Sequence, residues 1–169
     1  MSKINDDNYQ KIIKDILEHE EFRKIEQVKH HDSNRLQHSL KVSYYSYKIA
    51  KTLHLNYEDV ARGGLLHDFF LERTVDYKKV KDKVKLYTGS HPKKAVNNAK
   101  KYFEISEIEE NIIRSHMFPI DISIPKYAES WLVSTVDKVV STYEFSKKFS
   151  HKLSYITNFT LLFIINILK

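Results

Sequence analysis

Three glycines and three prolines are all that 169 residues contain, and the apolar side chains recur at helical spacing from one end of the chain to the other. These two residue types interrupt helices and form tight turns, so their scarcity leaves long stretches free to run on as helix. An all-α domain of about seven to eight helices follows.

The spacing predicts a first helix from about Asp7 to Glu26 that buries Ile12, Ile13, Ile16, Leu17 and Phe22. Polar residues Lys29 to Asn34 read as a loop. A second helix carries Leu36, Leu40, Ser43, Tyr44, Tyr47 and Leu53, with His38 in its first turns. Asn56 is a good N-cap, and Glu58 and Asp59 complement the dipole of a third helix that runs to His67 and Asp68. A further helix is expected over about Asp76 to Tyr87, and another begins near His91-Pro92, where proline fits a first turn. Ser106-Glu-Ile-Glu109 reads as a capping box for a helix that ends at His116. Phe118 to Pro125, with two prolines, is not regular helix. From Lys126 a long helix resumes, with Trp131, Val133, Val136, Val139, Val140, Tyr143 and Phe149 on or near its buried side.

A chain of this length fits one domain, residues 1–169. Cysteine is absent, so disulfides and thiolate ligands are excluded, and any metal must be held by His, Asp, Glu or water. The polar N-terminus has neither the basic region nor the apolar region of a signal peptide, so the mature chain is expected to begin here, in the cytoplasm. The apolar run over residues 155–168 is shorter than the ~20 residues that span a bilayer. It reads either as a buried terminal helix or as a helix that forms a homodimer or lies on a membrane surface. A net charge of +6 favours anionic ligands but is too diffuse to mark a nucleic-acid binder. The lysines of Tyr77 to Lys85 read as the solvated side of an amphipathic helix, or as a basic rim that attracts phosphate.

Six residues stand out by their order: His38, the adjacent pair His67-Asp68, His91, His116 and Asp137, a pattern H…HD…H…H…D. Four imidazoles and two carboxylates make a nitrogen and oxygen donor set suited to hard or borderline divalent metals, which activate water for hydrolysis. Asp137 lies in the apolar run Trp-Leu-Val-Ser-Thr-Val-Asp, where burying a carboxylate is costly unless it is paired or bound to metal. Neighbouring side chains on a helix differ by about 100°, so His67 and Asp68 at a helix end can grip one ion from two sides. His38 and Asp137 complete that set, while His91 and His116 suit a second ion bridged to the first by Asp68. Among the other histidines, His19, His54 and His151 read as surface residues. His30 and His31 read the same way, with lining of the site as the alternative.

Arg35-Leu-Gln-His38, Gly63-Gly-Leu-Leu-His-Asp68, His91-Pro-Lys-Lys, Ile112-Ile-Arg-Ser-His116 and Val136-Asp137-Lys resemble the HD-domain phosphohydrolase superfamily over residues 35–145. The added histidine pair is similar to its dinuclear branch, which includes cyclic-dinucleotide phosphodiesterases and diadenosine tetraphosphate hydrolases. The resemblance implies an HD-domain helical bundle in which His38, His67, Asp68 and Asp137 bind one metal and His91 and His116 another. Two departures accompany it. Dinuclear relatives often carry a phosphate-holding lysine three residues after the pair, where this chain has Leu71, and the GYP segment of the cyclic-di-GMP enzymes is absent. Phosphate would then be held elsewhere, with Arg35, Arg73, Lys94 and Lys138 as candidates.

The expected activity is hydrolysis of a phosphoester or phosphoanhydride bond of a nucleotide or related small phosphate compound by metal-activated water. Asp68 and His67 are the central catalytic residues, and Asp68 orients the water. Two divalent ions are expected, with Fe, Mn, Zn, Co and Mg all open, although imidazole favours a transition metal over Mg at the second site. A second reading is a metal-containing nucleotide sensor that binds without turnover. A basic RNA-binding module has little support without a nucleic-acid motif.

Overall fold

The computed structural model describes residues 6–30, 33–71 and 91–167, the last stretch as backbone alone beyond residue 147. Among these residues the chain is all-α, with seven α-helices: α1 (Asp7–Glu18), α2 (Glu20–Arg23), α3 (Arg35–Thr52), α4 (Tyr57–Leu66), α5 (His91–Tyr102), α6 (Glu107–Ser115) and α7 (Ala128–Ile167). A 3-10 turn over Lys24–Gln27 follows α2. The polar segment expected as a loop closes with a two-residue antiparallel ladder that pairs Lys29 with Asn34. The helix expected over residues 76–87 lies outside the described residues, and so does Arg73.

Local chemistry sets the helix starts. Asn34, Asn56 and Ser106 each cap a helix by accepting a backbone N–H from the residue three positions on. Ser106 and Glu109 form the full capping box, the glutamate reaching back to the Ser106 N–H at 3.0 Å. Each such cap is worth about 1 kcal/mol.

The first helix departs from expectation. It breaks at His19, which adopts an extended conformation, and resumes at Glu20. The His19 ring packs against Tyr102 and Phe103 at the end of α5, with centroids 5.2 and 5.0 Å away. Tertiary packing overrides the local helical pattern there. His19 is accordingly half-buried, while His54 is exposed. The side chains of His30, His31 and His151 lie outside the described residues.

α4 is central, packing on α1, α3, α6 and α7. One apolar cluster joins Tyr9, Ile13, Ile16, Phe22, Tyr47, Leu65, Leu66, Phe69, Val96 and Ile113, and a second joins Val42, Val60, Ile112, Val133, Val136 and Val140. Each large side chain so buried contributes roughly 1.5 to 3 kcal/mol. α3 and α4 approach closely because Gly64 faces Ser43. A Cβ on Gly64 would lie 3.1 Å from the Ser43 Cα.

α7 corrects the expected buried face. Trp131, Val139 and Tyr143 are about half exposed or more, and the buried stripe is Ser130, Val133, Ser134, Val136, Asp137, Val140 and Glu144. Its valines pack in the second apolar cluster, while its serines and carboxylates meet polar partners on α3 and around the end of α6. The C-terminal apolar run continues α7 without a break to Ile167, and its side chains, Phe149 included, lie outside the described ones. Among the described residues no helix is long and apolar enough to cross a membrane.

Candidate metal centre

Helix ends build the centre. The last four carbonyls of an α-helix have no partner inside it. At the end of α4 one of these, on Gly64, accepts the Nδ1 proton of His67 at 2.8 Å. A carbonyl can only accept, so Nδ1 carries a proton, and in the neutral ring the lone pair then falls on Nε2. The end of α6 repeats the arrangement: His116 donates from Nδ1 to the carbonyl of Ile113 at 2.7 Å. Both rings therefore turn a bare Nε2 inward. That of His67 is buried and has no hydrogen-bond partner among the described residues.

His38 lies in the first turn of α3 and is held between two carboxylates of α7. Its Nε2 is 3.0 Å from Asp137 Oδ1, and its Nδ1 is 3.1 Å from Glu144 Oε2. Lys41 donates to the other oxygen of Glu144 at 2.6 Å. Burial pushes the His38 pKa down, but the hydrogen bonds to Asp137 and Glu144 outweigh it and raise it to about 9. Asp137 shows the converse: burial raises its pKa, yet the His38 hydrogen bond and the surrounding imidazoles hold it at about 2. Glu144 is also at about 2, where His38 and Lys41 overcome burial.

Asp68 joins the two halves. Its Oδ2 lies 3.9 Å from His67 Nε2, and its Oδ1 lies 3.8 Å from His91 Nε2 and 3.6 Å from His116 Nε2. His67 Nε2 is 3.7 Å from Asp137 Oδ1. The Nε2 atoms of His91 and His116 stand 3.2 Å apart. Since His116 has only a lone pair to offer there, that contact needs either a proton on His91 or a cation between the rings. Burial lowers His116 to about 4, and burial also lowers His91, so both are set to be neutral. Among the described residues two groups have donor atoms mutually within 4.8 Å: His38, His67 and Asp68, and Asp68, His91 and His116. Ligands about 2.0 to 2.1 Å from one ion stand about 3 to 3.5 Å from each other, so separations of 3.6 to 3.9 Å are near the size needed. The buried, partnerless Nε2 of His67 and the facing nitrogens of His91 and His116 fit a divalent ion.

The HD-domain family model matches residues 35–146, from the first residue of α3 into α7. The chain belongs to the HD-domain family. Neither the curated proteins nor the solved structures contain a match. HD domains bind divalent metals, and the histidine and aspartate cluster of this HD domain is compatible with such a site.

The four cations considered for phosphate fare differently in this HD domain. Arg35 is fully buried. Its guanidinium lies 3.6 Å over the Phe70 ring and donates to the Phe70 carbonyl, and its Nε is 4.0 Å from Asp68 Oδ2. Lys138 donates to the carbonyls of His116 and Ser134 at 2.9 and 3.0 Å and to the Ser134 hydroxyl at 2.8 Å. Lys94 is half-buried one turn beyond His91. Arg73 lies outside the described residues.

Three further residues belong to this centre without standing out in the sequence. Phe70 is wedged between Arg35 and the His91 ring, whose centroid is 5.1 Å away. Asn98 donates to the Phe69 carbonyl at 2.8 Å and so anchors the backbone after the His-Asp pair. Glu144 is the third, and its seven-residue offset from Asp137, which returns to the same helix face, was the available signal.

Proposed function

We propose that this HD domain is a metal-dependent phosphohydrolase that cleaves a phosphoester or phosphoanhydride bond of a nucleotide or related small phosphate compound. The observation that carries the reading is the division of Asp68: one carboxylate oxygen faces His67, and the other faces His91 and His116. A carboxylate so divided suits a bridge between two ions. On this reading His38, His67, Asp68 and Asp137 hold one ion, and Asp68, His91 and His116 hold the other.

Bound divalent ions would bring the pKa of water towards neutrality and offset negative charge on the phosphate oxygens. The protein's own part is orientation. Gly64 and Ile113 carbonyls fix the His67 and His116 rings, so the nitrogens need no reorganisation when they bind. Asp68 accepts a hydrogen bond from the attacking water and turns its lone pair towards phosphorus. Arg35 and Phe70 hold the backbone of the His-Asp pair, and Lys138 holds the carbonyl of His116. Lys94, one turn beyond His91, and Arg73 are the candidates for contacts to phosphate. The imidazole-rich donor set favours a transition metal.

Leu71, in the position where dinuclear relatives often carry a phosphate-holding lysine, favours a second reading: a metal-containing nucleotide sensor that binds without turnover. One experiment separates the two. The metal content of anaerobically purified protein is measured, and the protein is screened against mononucleotides, cyclic dinucleotides, dinucleoside polyphosphates and an aryl phosphodiester, with Asp68→Ala as control. The hydrolase reading expects turnover that Asp68→Ala abolishes. Equal turnover in both proteins overturns it, and tight nucleotide binding without turnover selects the sensor.

A further inference from the structure

His67 and His116 are oriented by free carbonyls at the ends of their own helices. His38 has no access to that device. It sits in the first turn of α3, where the carbonyl three residues back, on Arg35, is already committed to the helical ladder. Its Nδ1 proton must find an acceptor on another element.

That acceptor is Glu144, two turns beyond Asp137 on α7. Its carboxylate is buried, with Oε2 3.1 Å from His38 Nδ1 and Oε1 2.6 Å from Lys41 Nζ. Burying a carboxylate is costly unless it is paired and hydrogen-bonded, and Lys41 supplies the pair. The result is a continuous line across the α3 and α7 interface: Lys41, Glu144, His38, Asp137. Because one helix carries both carboxylates, the His38 ring is held at its two nitrogens by groups in fixed register.

We propose that Glu144, with Lys41 behind it, is a positioning residue of the metal centre: it holds the His38 proton on Nδ1 and fixes the ring so that Nε2 faces the ion. This rests on the metal-site reading above. A carboxylate behind a ligand histidine fixes its tautomer and makes the nitrogen a stronger donor, and loss of such a partner typically costs about 10- to 100-fold in metal affinity. Lys41 adds no contact to the ion. It keeps Glu144 ionised and aimed.

The test uses full-length protein and cobalt(II), with affinity measured by chelator competition and coordination followed by the visible absorption spectrum. Glu144→Gln and Glu144→Ala should bind about 10- to 100-fold more weakly at one of two sites, with an altered spectrum and an unchanged far-ultraviolet circular dichroism. Lys41→Arg should restore what Lys41→Met loses. In zinc-loaded wild-type protein, nitrogen NMR of the imidazoles should find His38 protonated at Nδ1, a reading that needs no variant to fold. Wild-type affinity and spectrum in both Glu144 variants would overturn the proposal, as would a His38 ring without a proton on Nδ1. Failure of the underlying metal site looks different: wild type itself would bind no more cobalt than Asp68→Ala.

Discussion

The carbonyl of Gly64 accepts the Nδ1 proton of His67 at 2.8 Å, and the same glycine brings α4 against the backbone of Ser43. One residue therefore orients a candidate ligand and sets the distance between the helices that carry His67 and His38. A methyl group at Gly64 would meet the Ser43 Cα at 3.1 Å, and a backbone atom cannot rotate away. Gly64→Ala should lower stability by about 1 to 3 kcal/mol, read as a reduced thermal midpoint. It should also weaken metal binding in the protein that remains folded. An unchanged midpoint would show that the two helices separate freely at this point.

Arg35 leads to a second prediction, because its guanidinium is spent inside the protein on Phe70 and beside Asp68. Arg35→Met removes the donor to a buried carbonyl and a cation beside the Asp68 carboxylate. A loss of at least about 2 kcal/mol is expected, together with weaker metal binding when no substrate is present. Denaturant unfolding and metal competition check both. If the variant is fully stable and only the KM for a phosphate substrate rises, Arg35 is a substrate contact instead.

The residues that were legible in the sequence share one property: their local context made them anomalous. His67 and Asp68 are adjacent at the end of an apolar helix, and Asp137 interrupts a run of valines. Helix starts were legible for the same local reason, through Asn56 and the box from Ser106 to Glu109. What was not legible depends on a partner distant in sequence. His19 ends α1 because Tyr102 and Phe103 wait for its ring. Glu144 lies between tyrosine and phenylalanine, and an apolar reading of α7 places Tyr143 inside and ignores the glutamate. The approach of α3, whose His38 and Lys41 lie more than 100 residues away, makes that carboxylate worth burying and leaves Tyr143 in solvent.

His91 offers a prediction of stoichiometry. Its Nε2 faces His116 and Asp68, and of these only Asp68 is shared with the group of His38 and His67. His91→Ala should therefore release one equivalent of metal and leave the group of His38, His67 and Asp68 able to hold the other. Elemental analysis of wild type and variant after the same loading checks this, with two equivalents falling to one. Retention of two equivalents would remove His91 from the ligand set.

Acidity should shape the stability of the metal-free protein in both directions from near-neutral pH. His38 is raised from an ordinary 6.5 to about 9, since its bonds to Asp137 and Glu144 overcome burial. The folded state then holds that proton more tightly than the unfolded chain. Its contribution is complete below about pH 6.5 and is lost as pH rises towards 9. His116 behaves oppositely. Burial lowers it to about 4, so the unfolded chain takes its proton first and stability falls as pH drops from 6.5 towards 4. Asp137 and Glu144, both at about 2, extend that acid loss below pH 4. Thermal midpoints of chelator-treated protein should therefore peak near pH 6.5 and decline on either side. In Glu144→Gln the alkaline decline should be shallower, because His38 has lost one of the two carboxylates that hold its proton. A midpoint that keeps rising between pH 6.5 and 9 would mean that His38 is already neutral in the metal-free protein.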